Sequence, residues 1–363
     1  VKRKPVDFPI LLTTVILVAF GIVMVFSASF YYSADRWGDG LYFFKRQCLW
    51  AVVGFAGMFI ASRFDYTRLQ KFSRIFLLIS IALLVLVLFI GEERNNAKRW
   101  LGIGSFSIQP AEIAKFAMIL FISDTIARSK GGIRKFFKGV LPILLVTGLV
   151  FVLIMEQPNF STAGSIVMLA FIMLFVGGAK LWHLFLLMAA GAAGAVALTL
   201  SADYRLDRLT AFLDPWSDPK DSGWQLIQSL YSLGSGGLFG LGLAQSRQKY
   251  LYLPYPETDF IFAIIGEELG FIGATFLILL YLVLIWRGIR VALTAPDLFG
   301  SLLAAGIISM IAIQVVINIA VVTASMPPTG LPLPFISYGG SSLAIFMTSI
   351  GVLLNISRHC KAA

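Results

Sequence analysis

Asp259 stands where a polar loop turns into a very apolar run. The segment Tyr252-Leu-Pro-Tyr-Pro-Glu-Thr-Asp259 leads directly into Phe260-Ile-Phe-Ala263, and from Phe260 to Trp286 only Glu267 and Glu268 carry charge. A carboxylate at the water end of a membrane helix can hold charge, bind a cation or take a proton, and it reaches polar and lipidic groups at once. A purely local account also exists: an acid in the first helical turn complements the dipole, with Thr258 as the cap. Ionisable residues at membrane depth are costly and default to function, so Asp259 is read as the chemical centre.

Glu112 and Lys115 are the second candidate. They open an apolar run within Ser107-Ile-Gln-Pro-Ala-Glu-Ile-Ala-Lys115, and their spacing puts them on one helix face, where they can pair. Pro110 and Glu112 also suit a helix start. Lys115, however, lies inside the run, where a leucine would be cheaper, and a cation there suits a lipid-linked phosphate. Arg46 ends an outer loop, and snorkelling to headgroups explains it equally well. Arg205 and Arg208 are candidate phosphate partners or solvated charges. So are Arg247 and Lys249, which follow Gly234-Ser-Gly-Gly-Leu-Phe-Gly-Leu-Gly242. The bland account of those glycines is a flexible re-entrant turn. Glu267 and Glu268 point about 100° apart, so they are not expected to face one site. From Thr323 to Ser342, four prolines and three glycines cannot continue a helix and suggest a rigid re-entrant elbow. No His/Cys metal spacing, Ser-His-Asp set or phosphate-binding P-loop occurs, and His183 and His359 receive no role.

What must position these residues is an all-α polytopic membrane protein. Of 363 residues, 58% are hydrophobic and only 13% charged, against about a quarter charged in soluble domains. Apolar runs of about 20 residues recur along the chain, and each must be helical in lipid. The expected spans are 8–29, 47–62, 73–90, 111–127, 139–155, 162–178, 181–200, 260–286, 300–325 and 338–356. Residues 201–258 form one long outer segment, in which Gly223 to Tyr231 suggests a short helix lying in the interface. The whole chain, 1–363, is expected to be one integral domain.

Orientation follows from Lys and Arg. With the N-terminus inside, the inner segments hold Lys2, Arg3 and Lys4; Arg63, Arg68, Lys71 and Arg74; Arg128, Lys130, Arg134, Lys135 and Lys138; Lys180; Arg287 and Arg290; Arg358 and Lys361. The short outer loops hold only Arg36, Lys45, Arg46, Arg94, Lys98 and Arg99. Both termini are therefore expected in the cytoplasm and Asp259 outside. The net charge of +10 argues for anionic lipid headgroups and against nucleic acid. The first apolar run is too long for a cleaved signal peptide, so an uncleaved helix is expected. Cys48 and Cys360 fall on opposite sides, so no disulfide is expected between them.

Together these segments resemble a known family. Gln109-Pro-Ala-Glu-Ile-Ala-Lys115, Gln157-Pro-Asn-Phe-Ser-Thr162, Tyr204-Arg-Leu-Asp-Arg208, Gln245-Ser-Arg-Gln-Lys249, Leu253 to Phe262 and Leu333-Pro-Phe-Ile-Ser-Tyr-Gly-Gly-Ser-Ser342 look like the SEDS proteins of shape, elongation, division and sporulation. The run after Gln245 is closer to the FtsW and SpoVE branches than to RodA. The resemblance implies about ten membrane helices and a glycosyltransferase that polymerises lipid II into glycan strands outside the cytoplasmic membrane. It also implies a class B penicillin-binding protein as transpeptidase partner. It places the family's essential aspartate on Asp259 and its glutamate–lysine pair on Glu112 and Lys115. Two departures stand out: Asn159 replaces the usual Asp, which weakens a case for charge or metal there, and Ala111 replaces a common Ser.

Such a reaction needs a base for the acceptor hydroxyl, cations for the departing diphosphate and a groove for two lipid tails. An interfacial carboxylate can be the base; lysine, arginines or a divalent ion such as Mg2+ or Mn2+ can offset the charge. Two alternatives remain at this level. A lipid II flippase would spread essential charges along a path through the bilayer, whereas a non-catalytic scaffold for the penicillin-binding protein would leave Asp259 a helix cap.

Overall fold

The computed structural model describes residues 5–94, 97–103, 106–129, 131–201, 203–250 and 252–360. Lys2, Arg3, Lys4, Lys130 and Lys361, used above for orientation, lie outside the described residues. Twelve α-helices are formed among those described: α1 (Phe8–Trp37), α2 (Tyr42–Arg63), α3 (Tyr66–Ile90), α4 (Pro110–Arg128), α5 (Leu141–Met155), α6 (Phe160–Val176), α7 (Leu181–Leu200), α8 (Asp203–Leu213), α9 (Trp224–Gly236), α10 (Ile261–Thr294), α11 (Leu298–Val322) and α12 (Gly340–Ser357). Among the described residues eight stretches are long and apolar enough to cross a membrane, α5 counting together with the π-turn Phe136–Val140 before it. The other two expected spans are α4, which carries four charges, and α6, at 17 residues. The all-α polytopic expectation is met.

Local chemistry sets the helix ends. Asp7, Asp65, Asn159 and Asp297 each accept a backbone N–H of the first turn of α1, α3, α6 and α11, which satisfies a donor that the helix leaves orphaned. The core runs along α11 and α12, which pack against α2, α4 and α10. By contrast α7 buries only Leu184. At one end of the bundle Asp7 pairs with Arg287 at 2.6 Å, its N–H donates to Ser357 at 3.1 Å, and the Tyr66 N–H donates to Asn355 at 3.1 Å. Residues 7 and 357 thus share the end opposite Asp259, roughly 40 Å away along α10 at 1.5 Å per residue.

The glycine-rich stretch after α9 has a defined job. At Gly270 the backbone of α10 turns to φ 66°, ψ −167°, which frees the Phe271 and Ile272 N–H groups and the Glu267 and Glu268 carbonyls. Phe271 and Ile272 donate instead to Gly237 and Leu238, at 2.8 and 3.2 Å. In return Leu241 and Gly242 donate to Glu267 and Glu268, at 2.9 and 3.0 Å. Each group broken out of the helix is re-paired, as lipid demands. The expected flexible turn is therefore a re-entrant splint for a kinked helix.

Three features depart from expectation. β1 (Glu92–Arg94), β2 (Ala97–Ile103) and β3 (Phe106–Ile108) form a small antiparallel sheet; β1 and β3 are too short for a periodic signal, and the seven residues of β2 do not alternate apolar with polar. The long outer segment holds a further helix, α8. And α9 docks on the bundle by more than its expected apolar face: Ser229 donates to the Val322 carbonyl at 2.7 Å and Ser232 to that of Ala263 at 3.0 Å, while Tyr231 is exposed. Buried serine hydroxyls that find carbonyls in α10 and α11 add to the apolar stripe.

Candidate active site

Three consecutive carbonyls fix the approach to α10. The Glu257 carbonyl accepts the Tyr338 N–H at 2.8 Å, the Thr258 carbonyl accepts the Ser337 hydroxyl at 2.6 Å, and the Asp259 carbonyl accepts the Asn318 amide at 2.8 Å. Two of these donors come from the proline-rich elbow, residues 323–339. The elbow is buried over Leu333 to Ser337 and is held further by Tyr281, whose hydroxyl donates to the Pro334 carbonyl, and by Gln47, which donates to the Ser337 carbonyl at 3.3 Å. The stretch is non-helical as expected, and the backbone groups of Leu333, Pro334, Ser337 and Tyr338 find protein partners.

Asp259 opens into a cavity of about 560 Å3. Its walls come from β2 (Ala97, Arg99), the Pro158–Ser161 turn, Arg208 of α8, Tyr255, and Pro328 to Gly330 of the elbow. A Cβ on Gly330 would sit 3.4 Å from Asp259 Oδ2, so the carboxylate lies against that glycine. Burial pushes the Asp259 carboxyl up to about 6, against the downward pull of Arg208 and Arg99. Both effects follow from the wall: low dielectric disfavours the charged form, and facing cations favour it. Glu257, two residues back and 3% exposed, is pushed up to about 7, mainly by burial and further by the charge of Asp259.

Arg99 is the residue that sequence reasoning missed. Its guanidinium donates to the Gln157 carbonyl at 3.0 Å and to that of Pro158, so it holds the turn that forms one wall. A signal was available, because Lys98 and Arg99 are cations on the side that the positive-inside rule depletes. Arg208 lines the cavity and donates to the Pro328 carbonyl at 3.4 Å. Arg205 lies at its margin: it stacks 5.3 Å from the ring centre of Phe160, itself a wall residue, and donates to the Leu198 carbonyl at 2.7 Å. Asn159 is on the wall too, its side chain capping α6.

The other expected site residues lie elsewhere. Glu112 and Lys115 form an ion pair of 2.7 Å, 2% and 1% exposed. Gln314 accepts from Lys115 at 3.1 Å and Ser342 donates to Glu112 at 3.3 Å. The pair does not line the Asp259 cavity; a buried lysine is tolerable because it is paired and hydrogen-bonded. Lys249 is likewise buried and pairs with Glu268 at 3.0 Å, at the wall of a second cavity of about 250 Å3 that shares Tyr255 with the first. Lys115 and Lys249, both candidates for phosphate contact, are each held in an internal ion pair. Arg247 is exposed, and its N–H donates to Glu267 at 2.8 Å. Arg46 stacks on Tyr42, 4.5 Å from its ring centre, away from the cavity.

Glu267 and Glu268 correct another expectation. Both hold one loop: the Ser246 hydroxyl donates to Glu267 at 2.6 Å, and the Ser246 N–H to Glu268 at 3.3 Å. Helical angles separate the two carboxylates, but the loop from Gly242 wraps across both, so an angular argument within one helix does not exclude a shared partner.

The chain is similar to known proteins over nearly its whole length. The model of a family described as cell cycle protein, covering FtsW, RodA and SpoVE, matches residues 8–362. Stage V sporulation protein E of Bacillus subtilis (strain 168) is 49% identical over 362 residues, covering 99% of each chain. The probable peptidoglycan glycosyltransferase FtsW of Geobacter sp. (strain M18) is 41% identical over 359 residues, covering 98% of each. Among solved structures, a chain from a peptidoglycan synthase complex that coordinates polymerization and crosslinking superposes with TM-score 0.81 at 30% identity, covering 97% of this chain and 98% of that one. The rod shape determining protein RodA of Thermus thermophilus superposes with TM-score 0.73 at 28% identity, covering 99% and 98%. With the helical order, the elbow and the Asp259 segment in place, this protein belongs to the FtsW/RodA/SpoVE family.

Proposed function

We propose that this multi-pass protein of the bacterial cytoplasmic membrane is a peptidoglycan glycosyltransferase that polymerises lipid II at the outer face, with Asp259 as its general base. One observation carries the assignment of the base: a carboxyl with its pKa raised to about 6 in a cavity that also presents Arg99 and Arg208. A base poised near the working pH combines a large ionised fraction with real proton affinity. The acceptor sugar hydroxyl attacks the anomeric carbon of the donor, the carbon–oxygen bond to the diphosphate breaks, and the hydroxyl proton passes to Asp259. Arg99 and Arg208 offset the charge that builds on the departing diphosphate. Because diphosphate leaves readily, one carboxylate suffices where glycosidases use two.

A divalent cation fits only in a limited way. Asp259 is the one carboxylate among the described residues lining the cavity, and no group of three or more potential His, Cys, Asp or Glu ligands occurs among those described. That donor set suits an ion held mainly by substrate phosphates, not a protein cage. Such an ion would add charge neutralisation at the diphosphate.

Glu112 and Lys115 act as a positioning pair between α4, α11 and α12, through Gln314 and Ser342. One of the similar structures is a peptidoglycan synthase complex; by extension, a class B penicillin-binding protein crosslinks the strand that this chain makes. The test is polymerisation of lipid II by the purified protein, alone and with such a partner, read as glycan strands on a gel. Strands are expected with the partner; their absence under both conditions overturns the reading.

A further inference from the structure

Asn318 is buried, 1% exposed, near the C-terminal end of α11, yet its side-chain amide bonds outside α11. Its amide donates one proton to the Asp259 carbonyl at 2.8 Å and the other to the Leu331 carbonyl at 2.9 Å. Both acceptors are carbonyls, so the amide nitrogen must face them; turning the side chain over would oppose oxygen to oxygen twice. The Oδ1 is buried and accepts no hydrogen bond from the described residues. Leu331 follows Gly330, against which the Asp259 carboxylate lies. A single side chain therefore clamps the backbone that carries Asp259 and the wall that the carboxylate rests on. One turn earlier on the same face, Gln314 accepts from Lys115, so α11 also ties the clamp to the buried ion pair.

We propose that Asn318 is a positioning residue for the polymerisation reaction, fixing the distance between the Asp259 carboxylate and the Pro328–Gly330 wall of the cavity. The inference rests on the reading of Asp259 as base. With the clamp removed, the balance between burial and the two guanidiniums changes, because each depends on where the carboxylate sits. Catalysis is sensitive to such displacement: about 1 Å of misplacement can cost a hundredfold.

The experiment compares Asn318→Leu, Asn318→Asp and Asn318→Ser with wild type and Asp259→Asn. It uses full-length protein and partner and measures kcat, KM for lipid II, thermal stability and the pH profile. The expected result is a fall in kcat of about 10- to 100-fold with KM within about threefold. The acid limb of the pH profile should move by about half a unit or more. Where Asn318→Leu does not fold, Asn318→Ser, which leaves a polar gap, gives the answer. Folded Asn318 variants with wild-type kcat overturn the proposal. So do variants whose rate falls only in step with the folded fraction while the acid limb stays put. A normal rate for Asp259→Asn would sink the base assignment instead; the split between kcat and KM would still decide whether Asn318 positions the site.

Discussion

At the scale of single residues, two carboxyls close in sequence, Asp259 and Glu257, sit in unlike surroundings. Asp259 must be ionised to act as base, so the rate should rise with pH through about 6. Arg208 pulls that value down; Arg208→Gln should therefore lower the rate and move the acid limb upward, by as much as about one unit. An unmoved limb would remove Arg208 from the electrostatics of the base. Glu257 gives the opposite readout, in stability. Its carboxyl is raised from 4.5 to about 7, so the folded state holds its proton more tightly than the unfolded chain does. That contribution is fully present below about 4.5 and is lost as pH rises through about 7. Glu257→Gln should then raise the melting temperature at pH 8 relative to pH 5, worth at most about 3 kcal/mol; equal effects at both pH values would contradict the burial. The Glu112–Lys115 pair should behave as a unit. Lys115→Met or Glu112→Gln alone strands a buried charge, at about 3–5 kcal/mol, and melting of the double variant should show less than the sum of the two losses. Asp259 was legible in the sequence because charge at a helix–water boundary is rare. So was the Glu112–Lys115 pair, from its spacing, but the second partner of Lys115 was not, because Gln314 lies 199 residues away and no local spacing reports it.

At the scale of elements, the hydrophobic runs told most of the fold. Each expected span has its helix, because a run of about 20 apolar residues in lipid leaves the backbone no other solution. What stayed hidden was where backbone leaves regular structure. The kink at Gly270 is invisible to hydropathy, since the residues on both sides are equally apolar. It depends on a conformation that side chains resist. A Cβ at Gly270 would lie 2.3 Å from the Gly240 nitrogen and 2.6 Å from the Leu238 carbonyl, at a φ of 66°. Gly270→Ala should cost more than about 2 kcal/mol, from left-handed strain and the clash together. It should also weaken activity, because the outer half of α10 carries the Asp259 segment. Wild-type melting and rate in this variant would show that the splint is dispensable. The small sheet was missed for a related reason: β1 and β3 hold only three residues each, and the seven of β2, Ala97-Lys-Arg-Trp-Leu-Gly-Ile103, do not alternate apolar with polar, so Arg99 read as a loop charge and not as part of a wall.

At the scale of the whole molecule, the bilayer orders everything. Residues 7 and 357 meet at one end, and the cavity, the sheet, α8 and α9 gather at the other. The distribution of lysine and arginine assigns the first end to the cytoplasm. A cysteine placed at Ser222, in the loop before α9, should react with an impermeant maleimide from outside intact cells; labelling only after the membrane is opened would invert the molecule and turn the cavity inward. An outward cavity matches a substrate whose sugars are outside and whose lipid stays in the membrane. The central claim is that Asp259 does the chemistry there, and the most direct measurement is glycan-strand synthesis from lipid II by purified Asp259→Asn protein with its transpeptidase partner. The expected result is wild-type melting and a rate reduced by about 10²- to 10⁴-fold, the share a positioned base supplies. Normal strand synthesis by a well-folded Asp259→Asn protein would contradict it.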